Sequence, residues 1–109
     1  MEEKNNKVEL NIKDAYWSYM LDSNSMDPLL DEGTTIITIK PQNYNEISVG
    51  DIIVFKSNFS EYNIVHRIVA IANDKEGNYF VTKGDNNPSE DPIKVRFEQI
   101  VAVVVGILY

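Results

Sequence analysis

The sequence predicts a single all-β domain, built as a barrel of short antiparallel strands. Short runs rich in β-branched and aromatic residues alternate with clusters of Asn, Asp, Gly and Pro along most of the chain, which is typical of many short strands joined by turns. The length of 109 residues fits one domain with a modest core. The sequence contains no internal repeat, so we expect residues 1–109 to form a single domain.

The first part of the chain is the least regular. Residues 1–7 are charged and rich in Asn, and we expect this end to be frayed. A short edge strand is predicted over Val8–Ile12. The aromatic residues of Ala15–Leu21 favour a strand, with a helix over Ile12–Met20 as the alternative. A polar turn at Ser23–Pro28 follows.

The middle of the chain carries three clearer strands. Thr34–Lys40 is β-branched almost throughout and is predicted as a strand. After a loop, the tight turn Val49–Asp51 leads into a second strand, Ile52–Phe55. A third and longer strand is predicted over Tyr62–Ile71, and it contains the only histidine of the chain, His66.

The last third predicts a hairpin, a polar loop and a closing strand. Asn73–Asn78 contains Asn, Asp and Gly, which tolerate the positive φ of a hairpin turn, and Tyr79–Thr82 is its second arm. Lys83–Pro92 is a polar loop, followed by a short mixed segment at Ile93–Glu98. Ile100–Leu108 is apolar throughout and is predicted as a buried strand.

Composition excludes several kinds of function. The formal net charge of −7 makes a nucleic-acid partner or electrostatic docking on anionic lipid unfavourable. The chain has no cysteine, so disulfides and thiolate metal sites are excluded, and we expect no metal and no cofactor. No apolar run reaches the ~18 residues of a membrane span, and the N-terminus lacks the apolar region of a secretory signal. We therefore expect a soluble, cytoplasmic protein; the alternative is a membrane-anchored protein with this domain on the extracytoplasmic face.

One set of residues offers the parts of a serine nucleophile site. Ser25 can attack, provided that a base lies within about 3 Å and hydrogen-bond donors face the developing oxyanion. His66 can serve as the base near neutral pH, and either Asp91 or Asp85 could hold its imidazole. Because side chains alternate along a strand, His66 shares a face with the isoleucines two residues before and after it. The backbone N–H of Ser25 and the hydroxyl of Ser23 could face the oxyanion.

Each of these residues also has an ordinary structural interpretation. A single histidine in a strand is usually a half-buried structural residue, and a cluster of Ser, Asn, Asp and Pro is usually only a turn. Asp85 could accept backbone N–H bonds within its own turn. Residue types alone therefore favour the structural interpretation.

Four blocks of the chain, taken in order, resemble the signal peptidase I family of serine peptidases. They are Ser23–Pro28, Val49–Phe55, Ile64–Ile68 and a stretch from Thr82 to Asp91. No block is specific by itself, but four in the same order are hard to obtain by chance. The resemblance is strongest to the branch found in archaea, in the endoplasmic reticulum and in some Gram-positive bacteria. Where the bacterial branch has a lysine base, this chain has His66, which points to the branch with histidine.

The resemblance implies a role for each residue at a matching position. Ser25 would be the nucleophile and His66 the general base. Asp91 would correspond to the carboxylate that orients the histidine, and Asp85 to a second acid that is either catalytic or structural. Ser23 matches a position whose hydroxyl assists the oxyanion hole in the bacterial branch. The implied fold is a mostly β domain with a shallow substrate groove.

The implied function is that of a serine endopeptidase that cleaves extended leader or signal peptide segments through an acyl-enzyme intermediate. Its partner would be a peptide or preprotein substrate, with a preference for small residues just before the cut and two residues earlier. The membrane is involved only if flanking anchor helices are missing; the charged N-terminus favours a stand-alone soluble relative. Two alternatives stay open: a catalytically inactive peptide-binding module of the same fold, and a Ser/Lys pair that uses Lys83.

Overall fold

Six strands form one sheet in which all neighbours are antiparallel. The computed structural model describes residues 15–19, 26, 35–58, 60 and 63–108. In chain order the strands are β1 (Ala15–Tyr19), β2 (Thr35–Ile39), β3 (Ile52–Phe55), β4 (Ile64–Asp74), β5 (Gly77–Lys83) and β6 (Ile100–Leu108). Their order across the sheet is β1-β2-β6-β3-β4-β5. The prediction of a mainly β protein is confirmed.

The barrel that the sequence predicted is not closed: the sheet is open over the described residues, with β1 and β5 at its two edges. The outer side of β5 is bridged instead by the segment that precedes β6. Phe80 N–H donates to Val95 O at 2.7 Å, and Val95 N–H donates to Phe80 O at 3.1 Å. These bonds cover part of the β5 edge, which a barrel would have to pair with β1.

The strand predictions agree closely where the apolar pattern is strong. β3 and β6 have the predicted bounds, and β2 lies within the predicted strand Thr34–Lys40. β1 is a strand rather than the alternative helix. The predicted edge strand Val8–Ile12 and the frayed end 1–7 lie outside the described residues.

Two short 3-10 helices lie where the sequence predicted a loop and a short mixed segment. Tyr44–Glu46 follows the N-cap Asn43, whose side chain accepts a hydrogen bond from Asn45 N–H. Phe97–Gln99 comes directly before β6. Neither is long enough to give a helical signal in the sequence. No helix among the described residues has the length and apolar character needed to cross a bilayer.

The sheet has apolar clusters on both faces, as the alternation along β3 shows. Ile53 and Phe55 belong to the first core, whereas Ile52 and Val54 belong to or pack against the second. The first core contains the buried residues Ile47, Ile53, Phe55, Ile68, Phe80, Val95 and Ile100. The second core contains Met26, Ile36 and Ile52. The two faces of the sheet therefore carry different sets of side chains, so neighbouring residues of one strand contact different cores.

The hairpin of β4 and β5 is longer than predicted and contains a bulge. Pairing runs to Asp74 and Gly77 on either side of a two-residue turn. Gly77, which follows the turn, has a φ of 111°, a conformation that glycine adopts at no steric cost. Ile68 pairs with Thr82, but the next pair is Ala70 with Val81. The single extra residue on β4 at this point is the signature of a β-bulge.

Candidate active site

His66 projects from β4 onto the face of the first core. Its neighbours Ile64 and Ile68 pack in that core, while Val65 packs against the second core, so the predicted alternation is present. The His66 ring stands edge-on to Phe55, with ring centroids 6.5 Å apart and an interplanar angle of 67°. The side chain is 11% exposed, which leaves it mostly shielded by apolar neighbours.

Asp91 is the acidic side chain that contacts this histidine. His66 Nδ1 and Asp91 Oδ2 lie 2.6 Å apart, which is the short distance of a charge-assisted hydrogen bond. Asp91 is brought back to the sheet by its own backbone, because its N–H donates to Thr82 O at 2.8 Å. Residue chemistry left both Asp85 and Asp91 open for this contact, and the family resemblance implied Asp91. In the structure the contact is made by Asp91.

The contact with Asp91 determines which tautomer of the His66 imidazole we assign. A carboxylate only accepts hydrogen bonds, so we assign the proton of the neutral imidazole to Nδ1. The other ring nitrogen, Nε2, then carries the lone pair that can accept a proton. This is the tautomer that a general base for a serine hydroxyl requires.

Thr82 is a member of this cluster that the sequence reasoning missed. Its hydroxyl donates to the same oxygen, Asp91 Oδ2, at 2.7 Å, and the residue has no exposed surface. The signal for it was present, because Thr82 lies opposite Ile68 in the hairpin, and directly opposite residues project to the same face. Finding it required the register, which the bulge in β4 shifts by one residue.

Asp85 lies in a different set of contacts, around Arg67. Arg67 Nε and Nη2 donate to the two carboxylate oxygens of Asp85, each at 2.9 Å, and Nη1 donates to Gly50 O at 2.8 Å. The paired guanidinium holds the pKa of Asp85 below its usual value, and the carboxylate in turn raises the pKa of Arg67. Because Arg67 alternates with His66 along β4, this ion pair belongs to the opposite face of the sheet.

Met26 connects the serine block to the acidic loop. Its side chain is 1% exposed in the second core, and its Sδ lies 3.3 Å from the backbone N of Asp85, in hydrogen-bonding geometry. Ser23 and Ser25, predicted for the oxyanion and for nucleophilic attack, lie outside the described residues. Met26 directly follows Ser25 in the sequence, so one residue of the block Ser23–Pro28 contacts the loop that carries Asp85 and Asp91.

Lys83, the alternative base, is directed away from His66. It pairs with Arg67 across the hairpin, which puts its side chain on the Arg67 face. Its Nζ donates to Gly84 O at 3.0 Å. Lys83 therefore lies on the opposite face of the sheet from His66 and Asp91.

Comparison with known proteins matches this chain to signal peptidases, in agreement with the family resemblance of the sequence. The family described as "Signal peptidase, peptidase S26" matches residues 13–75, a range that includes Ser25 and His66 and ends before Asp85. The chain is similar to the signal peptidase complex catalytic subunit SEC11 of Eremothecium gossypii, with 37% identity over 70 residues. That match covers 63% of this chain and 41% of the relative.

Two further relatives come from distant organisms. Signal peptidase I W of Bacillus subtilis is 33% identical over 84 residues, which cover 77% of this chain and 44% of that protein. The SEC11 subunit of Plasmodium falciparum is 34% identical over 70 residues, covering 63% of this chain and 36% of that protein. The chain thus spans less than half the length of these relatives. Since the family match extends over more than half of the chain, this protein belongs to the signal peptidase family, peptidase S26.

Proposed function

We propose that this protein is a serine endopeptidase that cleaves extended leader or signal peptide segments through an acyl-enzyme intermediate. The observation that carries the proposal is the 2.6 Å contact between His66 Nδ1 and Asp91 Oδ2. In this proposal Ser25 is the nucleophile, His66 the general base and Asp91 the carboxylate that orients it. Family membership supports the same chemistry, and the sequence positions of Ser25 and His66 fall within the matched residues.

The reaction follows from the tautomer assigned to His66. Ser25 Oγ attacks the scissile carbonyl carbon while Nε2 of His66 takes the hydroxyl proton, and Asp91 stabilises the imidazolium that forms. The backbone N–H of Ser25 and the hydroxyl of Ser23 donate to the oxyanion. Collapse of the intermediate breaks the C–N bond, and the imidazolium gives its proton to the leaving amine. Water, deprotonated by His66, then hydrolyses the ester and regenerates Ser25.

Asp85 has a structural role in this proposal. Its carboxylate is occupied by the two hydrogen bonds from Arg67, and its N–H by the sulfur of Met26. These contacts join β4, the acidic loop and the residue after Ser25. Asp85 thus holds the parts of the site together, while Asp91 orients His66 and stabilises its imidazolium.

The substrate we propose is the backbone of a preprotein or peptide in an extended conformation. Over the described residues, β5 pairs with β4 only from Arg67 onwards, and β3 lies on the other side of Ile64–Arg67. The stretch leading up to His66 therefore has a strand on one side only within the described part of the chain. An extended peptide can add to such an edge through main-chain hydrogen bonds, with small residues just before the cut and two residues earlier.

The proposal is tested by cleavage of synthetic signal peptides that have small residues just before the cut and two residues earlier. We expect the wild-type protein to cleave them, and Ser25→Ala and His66→Ala to lose almost all turnover. Ser48→Ala, which changes an exposed serine outside the site, is the control and should cleave like the wild type. If the wild type binds these peptides without turnover, the inactive peptide-binding module replaces the peptidase. If Ser25→Ala cleaves at the wild-type rate, the assigned nucleophile is wrong.

A further inference from the structure

The fully buried hydroxyl of Thr82 is the feature of the site that the proposed function does not use. Buried hydroxyls are almost always hydrogen-bonded, so a bond by itself carries little information. The partner is what matters here. Thr82 Oγ1 lies 2.7 Å from Asp91 Oδ2, the same oxygen that lies 2.6 Å from His66 Nδ1.

Thr82 holds Asp91 at two points. Its carbonyl oxygen accepts the backbone N–H of Asp91 at 2.8 Å, and its hydroxyl donates to the carboxylate of the same residue. The first bond locates the backbone of Asp91 beside β5, and the second fixes the orientation of its side chain. A β-branched residue suits this task, because its χ1 angle is restricted and its hydroxyl therefore points in a fixed direction.

Without the Thr82 hydroxyl, the carboxylate of Asp91 would lose one of its side-chain hydrogen bonds. The described contacts of the Asp91 side chain are those with Thr82 and His66, and the side chain is 16% exposed. A carboxylate with access to water can rotate toward solvent when the bond that holds it is removed. His66 would then lose the acceptor that selects the Nδ1–H tautomer.

We propose that Thr82 is a positioning residue that sets the tautomer of His66 by fixing the carboxylate of Asp91. The consequence for catalysis rests on the proposed peptidase function, whereas the consequence for the imidazole does not. In the wild type, Thr82 and His66 both donate to Asp91 Oδ2, and Nε2 of His66 is the basic nitrogen. In the absence of the Thr82 hydroxyl, the imidazole shifts toward the Nε2–H tautomer, which cannot take a proton from a serine.

The test compares Thr82→Val, which removes the hydroxyl at nearly constant volume, with Thr82→Ser, which keeps it. His66 is the only histidine, so its ring ¹⁵N shifts give one assignable pair of signals in each labelled variant. We expect the Nδ1–H tautomer in the wild type and in Thr82→Ser, and a mixture shifted toward Nε2–H in Thr82→Val. We expect kcat for peptide cleavage to fall about tenfold or more in Thr82→Val, as for loss of a hydrogen bond to a charged group, with KM unchanged and the rate restored in Thr82→Ser.

The outcomes separate this proposal from the peptidase itself. Retention of the wild-type tautomer in Thr82→Val overturns the positioning role, whatever the rate does. If Thr82→Val does not fold, as judged by its amide spectrum, Thr82→Ala carries the same expectation and the same refutation. If the wild type shows no cleavage, the peptidase proposal fails, and the ¹⁵N comparison still decides the role of Thr82.

Discussion

Replacement of Asp91 by asparagine removes a charge from the site with little change of shape. The hydroxyl of Thr82 and Nδ1 of His66 both point at a single oxygen of Asp91. An asparagine at this position can place its amide oxygen there and accept both bonds. We therefore expect Asp91→Asn to keep the tautomer of His66 and to lose mainly the negative charge that stabilises the imidazolium.

The size of the loss follows from the distance between the charges. With Nδ1 and Oδ2 at 2.6 Å, the charge centres lie about 4 Å apart, where an effective dielectric constant of about 20 gives ~4 kcal/mol. The retained neutral hydrogen bond and partial exposure reduce the net loss to about 2–4 kcal/mol, or ~30- to 1,000-fold in kcat/KM. The measurement is the initial rate of peptide cleavage at subsaturating substrate, with the folded state checked by circular dichroism.

Asp85→Asn is the matched control, because it removes the same charge from the other aspartate. It should lower the free energy of unfolding by about 1–3 kcal/mol through loss of charge-assisted bonds to Arg67, with kcat/KM within about tenfold of the wild type in conditions where both proteins are folded. The reverse pattern, with a large loss of activity in Asp85→Asn and little in Asp91→Asn, would refute the assignment of the two acids.

Three further predictions concern stability and the alternative base. Met26→Ala should lower the free energy of unfolding, measured in urea, by about 2–5 kcal/mol, because the side chain is fully buried. Met26→Leu keeps most of the volume and should lower it by less than about 1.5 kcal/mol. Equal losses in the two variants would show that packing volume is not the cause. Arg96 and then Lys94 lower the pKa of Asp74, so this carboxylate stabilises the fold above its unfolded pKa of about 3.9 and that stability is lost as the pH falls through the lower folded value. Asp74→Asn should therefore flatten the decrease of the thermal midpoint below about pH 4; an unchanged slope would contradict the linkage. Lys83→Ala should retain cleavage, while His66→Ala should not; the opposite result would establish the Ser/Lys pair.

The parts of the fold that the sequence predicted are those with an uninterrupted apolar signal. Ile52–Phe55 and Ile100–Leu108 are continuous runs of apolar residues, each preceded by a polar residue, and both strands have these bounds in the structure. The end of β4 was predicted at Ile71 but lies at Asp74. Its last residues are polar, and they are strand because they pair with β5 across the hairpin, which local composition does not reveal.

For the site, as for the fold, the sequence predicted what depends on neighbouring residues and missed what depends on long-range contacts. The face of His66 followed from strand alternation, which depends only on its neighbours in the sequence. The choice between Asp85 and Asp91 depended on the path of the loop, which is set by the capture of Asp85 by Arg67 and by the backbone bond from Asp91 to Thr82. Both acids have the same chemistry and lie in the same loop, so residue chemistry alone could not separate them. Only the family resemblance implied Asp91, by its matching position.

The central claim is that Ser25 forms an acyl-enzyme with the help of His66. The most direct measurement is acid quenching of the protein during turnover of a peptide ester, followed by proteolysis and tandem mass spectrometry. We predict that the acyl part of the substrate is attached to Ser25 in the wild type and is missing from Ser25→Ala, with far less adduct formed by His66→Ala. Cleavage by the wild type with the acyl group on another residue, or undiminished cleavage by Ser25→Ala, would contradict the claim.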